Sequence, residues 1–438
     1  MSEPEIVSLA GGLPHPSLFP YHTLRLDVYA PDSLGSHEQL STVTIHSEKS
    51  GDGKKIDIST ALQYTHSKGS SRLSSFVRKF TEDVLRPGYS DFEILLNFGN
   101  TDAWNKVVSL LCEEGDYILV EQHTYPSAQA LWAPMGCRAA PIPMDKDGII
   151  PKALEQLLGG WDEAGKGAKR PKLLYLIPVA QNPTGATMTL ERKKAVYDLC
   201  VEYDVVICED DPYYFLQLPA YAPPENRTAP PETEMSMQEF VKSLVPTFVN
   251  LDWQGRVIRL ETFSKTLGPG NRLGYFVCNP SLAERLLRAT EVMTQSPSGW
   301  SQIIVEEILS TWGQEGFLRW LMGLRHSYAV RRDWMCDSLA EYFDVVPAPK
   351  GAVDDVAAYP KNRSQEGRTA SFFSFNYPKG GMFLWIKLDL SHNPAYQRMK
   401  ADGEANAERK WADEFWVSMI KAKARLLLDL PTPGLPSC

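Results

Sequence analysis

The sequence predicts an α/β protein, with one large sheet-and-helix domain and a smaller domain after it. Three observations carry this expectation. Four short runs, YILVEQ (117–122), KLLYLIPVA (172–180), DVVICED (204–210) and RVIRLETF (256–263), have the length and continuous apolar character of strands buried on both faces of a parallel sheet. Amphipathic stretches separate them, as in TLERKKAVYDLCVEYD, where Val196, Leu199, Cys200 and Tyr203 recur at the spacing of one helical face. The chain of 438 residues is 43% hydrophobic, enough for one large core and a second, smaller one.

From about Ile56 to Asn279 the pattern stays α/β. Thr189 is predicted to cap the helix that follows the 172–180 strand. Glu191 falls in its first turn, where the helix dipole favours an anion. Strand, loop, helix and strand then make a βαβ unit. Residues 219–246 carry six prolines and read as a surface loop. From about 280 to 345 the pattern turns helical, with SLAERLLRATEVM and a long stretch from Trp312 to Tyr342. GGMFLWIKLDL (380–390) reads as a strand after a glycine turn. The domain boundaries expected are 1–50 for an N-terminal arm with part of the small domain, 51–285 for the large domain, and 286–438 for the small one. The tail PTPGLPSC is expected to be disordered.

Charge and cysteine usage narrow the function classes. A formal charge of −9 gives no broad basic face, which argues against nucleic-acid or anionic-membrane binding. The seven cysteines are scattered without a C-x-x-C pair, so neither a metal site nor a disulfide framework is expected and a reducing cytoplasm is the simplest compartment. MSEPEIVSLAGGLP lacks the charged and apolar regions of a signal peptide, and no apolar run is long enough to span a membrane. His15, His66 and His123 read as hydrogen-bonded loop residues; Trp300, Trp312, Trp320 and Trp334 read as helix-packing residues; ERKK (191–194) reads as a solvated helix face.

The chemistry centres on VIRLETFSKTLGPGNRLG (257–274). A strand ends at Thr262-Phe263-Ser264-Lys265, and a turn with Gly268 and Gly270 leads to Arg272. Strand ends are where α/β folds place ligands. Two hydroxyls, glycine-turn amides and an arginine can cup a phosphate, and a lysine amine can form an imine with an aldehyde. Taken alone, the segment fits an ordinary surface lysine beside a flexible loop equally well.

Three other segments bear on it. AQNPTG (180–185) puts the Asn182 amide after a strand, where it can donate to a phenolic oxygen; alone it is a common turn. CEDDPYYF (208–215) puts an acid at a strand end with Tyr213 three residues after Asp210, which suits a pyridine ring whose nitrogen a carboxylate keeps protonated. Alone it fits a polar turn as well. LNFGNTDAWNKV (96–107) makes an anion site at a helix N-terminus, a weak signal by itself.

In order, spacing and residue type, these four segments resemble the fold-type I pyridoxal-phosphate (PLP) aminotransferases of class I/II. SLAGGLPHPSLFP (8–20), LQYTHSKGSSRL (62–73), EDDPYYFLQ (209–217), TFSKTLGPGNRLGYF (262–276) and KGGMFLWIKLD (379–389) look like the branch of fungal aromatic aminotransferases and kynurenine/2-aminoadipate aminotransferases. The resemblance runs nearly the whole chain, to about Ala424. It implies a three-layer, aspartate aminotransferase-like large domain and a smaller α+β domain.

It also implies roles. Lys265 holds PLP through an imine and then moves a proton between the substrate Cα and the cofactor. Asp210 pairs with the pyridine nitrogen, while Tyr213 and Asn182 bond the phenolic oxygen and favour its anionic form. Asn100 and Thr101 stand where many relatives have Ser-Gln in the phosphate loop; Thr262, Ser264 and Arg272 complete the phosphate cup. Tyr125 stacks on the pyridine face, with a packed core tyrosine as its other reading. Tyr64 reaches the partner subunit's phosphate, which implies a homodimer with shared sites, and Gly12 lies in the loop that approaches substrate. The activity implied is transamination of aromatic amino acids, 2-aminoadipate or kynurenine with 2-oxoglutarate as acceptor.

Two departures accompany the resemblance. Relatives carry a longer arm before SLAGGLP. After WADEFWVSMIKAKA (411–424) this chain runs RLLLDLPTPGLPSC, where relatives have the segment with the arginine that clamps the substrate carboxylate. Arg425 stands outside any matching context, and the small domain is expected to be incomplete at its C-terminus. A PLP-binding but catalytically impaired paralogue, and another fold-type I reaction such as a lyase or decarboxylase, are the alternative readings.

Overall fold

The structure, a computed structural model, describes residues 12–32, 39–48, 56–227, 235–349, 354–361 and 371–422. In chain order the strands are β1 (Thr23–Tyr29), β2 (Leu40–His46), β3 (Glu93–Asn97), β4 (Tyr117–Glu121), β5 (Arg138–Ile142), β6 (Met144–Asp145), β7 (Gly148–Ile149), β8 (Leu173–Leu176), β9 (Val206–Asp210), β10 (Val257–Thr262), β11 (Gly274–Cys278), β12 (Phe343–Pro347), β13 (Val356–Pro360), β14 (Phe373–Phe375) and β15 (Ile386–Leu388). The chain divides into two compact units, Met1–Leu110 with Asp252–Gly323, and Leu111–Leu251 with Leu324–Cys438.

In the first unit, β3, β11 and β10 lie side by side in that order, with β11 antiparallel to both neighbours. Both pairings are therefore antiparallel, where the apolar runs alone predict parallel strands. Gly274 opens β11 because a side chain there would collide with the Glu261 carbonyl, 2.3 Å from where a Cβ would stand. The helices Ser71–Phe80, Asn100–Leu111 and Pro280–Met293 bury Phe80, Trp104 and Leu286. Asn279 caps the last of these by accepting a 2.9 Å bond from the Leu282 amide. The sequence reading gave no sign of the hairpin β1–β2, whose Val43 and Ile45 pack on Ile58, Ala61 and Ile303.

In the second unit, β9, β8, β4 and β5 form a parallel sheet in that order. The helix Leu190–Glu202 crosses from β8 to β9, and Thr189 caps it by accepting from the Arg192 amide at 3.2 Å. ERKK is solvated only in part: Glu191 and Lys194 are exposed, Arg192 and Lys193 are not. The Lys193 side chain is fully buried and donates to the Pro246 carbonyl at 2.8 Å; Arg192 pairs with Asp145 at 3.0 Å and donates to the Ile149 carbonyl at 2.8 Å. Both side chains have long apolar stems, so a charge pattern alone cannot tell a buried lysine from a solvated one.

The proline-rich stretch is not wholly a loop either. Met237–Ser243 is a helix with a capping box between Ser236 and Glu239. β12 to β15 form an antiparallel sheet around Ala358, Phe373 and Phe375. Of the expected 380–390 strand, Ile386–Leu388 is a strand of this sheet, while Gly380 forms an isolated antiparallel bridge with Gln217. The helical stretch Gly299–Tyr342 is broken at Gly313, where φ is +65° and ψ 179°. Trp300 packs edge-on against Tyr21 at 4.9 Å and Trp312 against Trp320 at 5.2 Å. Trp334 does not follow them into a packed interface; it is 64% exposed. Arg425 and the tail PTPGLPSC lie outside the described residues. No helix among the described residues is long and apolar enough to cross a membrane.

Candidate active site

The lysine group lies in the first unit. Every residue of β10 is buried, so the strand is fixed up to Thr262, and the single turn Phe263–Lys265 follows directly. The Thr262 hydroxyl accepts from the Ser264 amide at 3.1 Å and donates to Ser264 Oγ at 2.8 Å, which shapes that turn. Lys265, half-buried, is its last residue. Arg272 sits in the left-handed region at φ +44°. Its Nη1 donates to Ser264 Oγ at 3.4 Å and to the Pro269 carbonyl at 3.0 Å.

The end of β3 closes the group. Asn97 is fully buried and accepts from the Gly99 amide at 2.8 Å. Gly99 has φ +94°, and a Cβ there would stand 2.9 Å from Arg272 Nη2, so the backbone passes close beneath the guanidinium. The Asn100 amide donates to the Leu260 carbonyl at 3.1 Å and so ties the start of the helix Asn100–Leu111 to β10. Thr101 is exposed in its first turn. Asp102, an anion in the same turn, is paired with buried Lys106 at 2.6 Å. Hydroxyls of Thr262 and Ser264, the Arg272 guanidinium and a helix N-terminus are the donors a phosphate dianion takes. A cradle that a single Cβ at Gly99 would fill fits the same group.

The ring group lies in the second unit. Asp210 ends β9 and is 6% exposed. On the adjacent β8, Tyr175 donates its hydroxyl to Asp210 Oδ2 at 2.6 Å. Burial first, then Asp210, push the Tyr175 phenol well above its ordinary range, so it stays a donor. Tyr213 is buried too, and its phenol is pushed up by burial and then by Asp210 and Tyr125, while a bond from the Asn182 side chain pulls the other way. Asn182 stands in the turn after β8, and its peptide bond to Pro183 is cis. Tyr125 is half-buried and stands just before the helix Pro126–Trp132, without a side-chain capping bond. Phe383 packs edge-on against Tyr213 at 5.6 Å, and Trp385 lies 5.3 Å from His123. A carboxylate with a phenol and an amide beside it is the donor and acceptor set of a pyridine nitrogen and a phenolic oxygen, so these residues fit the ring end of PLP.

Of the residues singled out in the sequence, Asn100, Thr101, Thr262, Ser264, Lys265 and Arg272 stand in the first group and Tyr125, Asn182, Asp210 and Tyr213 in the second. Tyr64 is 67% exposed and Gly12 is exposed at φ +58°; among the described residues no hydrogen bond joins either to the lysine group. Sequence reasoning misses Asn97, Tyr175, Gln181 and Glu121. The only signal for the last is a glutamate closing the otherwise apolar YILVE. Among the described residues no cluster of three or more His, Cys, Asp or Glu is placed to hold a metal ion.

Comparison with known proteins gives the family of the chain. A family profile described as aminotransferase class I and II matches residues 21–353. An aromatic amino acid aminotransferase of Schizosaccharomyces pombe is 36% identical over 391 residues, covering 88% of this chain and 76% of the relative. An L-tyrosine:2-oxoglutarate aminotransferase of Serpula lacrymans is 30% identical over 401 residues, covering 90% and 71%. The crystal structure of aminotransferase Aro8 from Candida albicans superposes with a TM-score of 0.78 at 34% identity, covering 91% of this chain and 78% of that one.

Proposed function

The chain belongs to the class I and II aminotransferases, a family of PLP-dependent enzymes, and from that premise we propose that it binds PLP at Lys265 and transfers amino groups from aromatic amino acids to 2-oxoglutarate. 2-Aminoadipate or kynurenine are the other donors in this reading. One observation carries the cofactor assignment: Asp210 is a buried carboxylate that already accepts from Tyr175 and lies near the Tyr213 phenol, which Asn182 bonds. Such a carboxylate favours a protonated pyridine nitrogen over a neutral one.

When bound, PLP supplies an electron sink for charge developing at the substrate Cα. Arg272, Ser264 and Thr262 would hold its phosphate by charge and hydrogen bonds. Asn182 and Tyr213 would donate to the phenolic oxygen and stabilise its negative charge. Tyr125 would pack on the ring and exclude water. Lys265 Nζ would be the group that holds and moves a proton at the substrate Cα. Phe383 and Trp385, aromatic side chains beside Tyr213 and His123, support an aromatic donor. The donor specificity of the Serpula relative supports the same choice.

The protein works as a homodimer in which Tyr64 reaches the other subunit's phosphate; its high exposure supports this. It acts in the cytoplasm, a reading supported by six described cysteines that form no disulfide. The test is an absorbance spectrum of the purified protein with PLP, before and after an aromatic amino acid is added. The expected result is a bound-cofactor band that Lys265→Ala removes, that the amino acid converts, and that 2-oxoglutarate restores with release of glutamate. A band that the amino acid leaves unchanged defeats the transaminase assignment; the absence of any band defeats the cofactor assignment.

A further inference from the structure

Glu121 closes β4 with its side chain completely out of solvent. Its Oε2 accepts from the Ile177 amide at 3.1 Å and from Gln181 Nε2 at 3.0 Å, while Oε1 is buried with no hydrogen-bond partner. Gln181 is 1% exposed, and all its polar atoms are engaged. Nε2 also donates to the His123 carbonyl at 2.5 Å, and Oε1 accepts from the Thr184 amide at 2.8 Å and the Thr184 hydroxyl at 2.7 Å. The Gln181 backbone closes the same turn, accepting from the Gly185 amide at 2.6 Å and donating to the Ala186 carbonyl at 2.9 Å. One glutamine therefore fixes both the turn that carries Asn182 and the corner two residues before Tyr125. One buried carboxyl holds that glutamine.

We infer that Glu121 is a positioning residue for the cofactor ring, setting Asn182 and Tyr125 together through Gln181. The inference rests on the proposed PLP site. The carboxyl works in its neutral form. Burial pushes it up to about 8, against the opposing pull of Gln181 and the Ile177 amide, and Asp210 adds to the rise. Among the described residues, the titratable groups that face it are Tyr175 from β8 and Asp210 from β9. Above about 8 the Glu121 carboxyl gains a negative charge at the end of β4. The arrangement makes ring electronics, and not only ring placement, depend on Glu121.

The experiment compares wild type, Glu121→Gln, Glu121→Ala and Gln181→Met, each loaded with PLP. It reads cofactor affinity by fluorescence, the bound-cofactor absorbance across pH 6–10, and the split between kcat and KM. Glu121→Gln is expected to hold PLP within about twofold of wild type and to lose an alkaline step in the absorbance near pH 8. Glu121→Ala and Gln181→Met are expected to weaken PLP by about tenfold and to lower kcat more than they raise KM. Should Glu121→Ala not fold, Glu121→Gln and Gln181→Met decide the matter. Wild-type affinity in Gln181→Met overturns the inference, and so does an alkaline step that survives in Glu121→Gln. If the wild type itself shows no band that Lys265→Ala removes, the PLP assignment has failed and the inference falls with it; a normal wild type beside unaffected variants defeats the inference alone.

Discussion

Tyr175 and Asp210, on neighbouring parallel strands, share a 2.6 Å hydrogen bond in which the phenol is the donor. Both side chains are nearly or fully buried, so the bond is a charge-assisted one with little competition from water. Tyr175→Phe removes the donor without changing the ring. It is expected to lower stability by about 1.5–3 kcal/mol, read by chemical denaturation. A variant as stable as wild type shows that Asp210 does not depend on this phenol.

Asp210→Asn keeps the shape of the side chain and removes its charge. Under the proposed function the pyridine nitrogen then loses the group that keeps it protonated. kcat is expected to fall about a hundredfold or more, with PLP still bound. Steady-state kinetics alongside the absorbance spectrum separate lost chemistry from lost cofactor.

Gly99 permits the close passage of backbone beneath Arg272. Gly99→Ala asks a residue with a Cβ to adopt φ +94° and places that Cβ 2.9 Å from Nη2. The expected outcome is a displaced guanidinium and a PLP affinity lower by about tenfold, measured by fluorescence titration. An unchanged affinity would remove Arg272 from the phosphate cup.

Stability carries its own signature of Glu121. The folded carboxyl titrates at about 8 against 4.5 in a solvated chain, so the folded state keeps a proton that the unfolded state gives up in between. Stability contributed by that proton is complete below about pH 4.5 and is lost as pH rises through 8. Glu121→Gln has no such proton to lose. Its stability relative to wild type should therefore grow from pH 5 to 8 and level off above, in urea melts taken across that range.

Much of this was legible before any coordinates. β4, β8, β9 and β10 stand where continuous apolar runs predict them, to within a few residues, because strands covered on both faces have no polar alternation to obscure them. The residues proposed to touch cofactor were legible for a related reason: Asn182, Asp210 and Lys265 stand at or shortly after strand ends, in segments that are ambiguous singly and informative together. Less visible were the residues behind them. Tyr175 and Glu121 sit inside strands, where a tyrosine or a terminal glutamate reads as part of the core or as its polar boundary. What they do depends on pairing with β9 and with the Gln181 turn, which sequence spacing does not encode. The antiparallel β11 was hidden by the glycines around it, which read as a turn.

Lys193 has a practical consequence. Its neighbour Lys194 is exposed, while Lys193 ends on the Pro246 carbonyl inside the fold. An acylating reagent applied to the native protein should therefore mark one of two adjacent lysines and spare the other. Denaturation should make the pair equivalent. The ratio of label at these two positions, read by peptide mass spectrometry, becomes a built-in gauge of how much of a preparation is folded around that helix, usable without cofactor, substrate or any assay of activity.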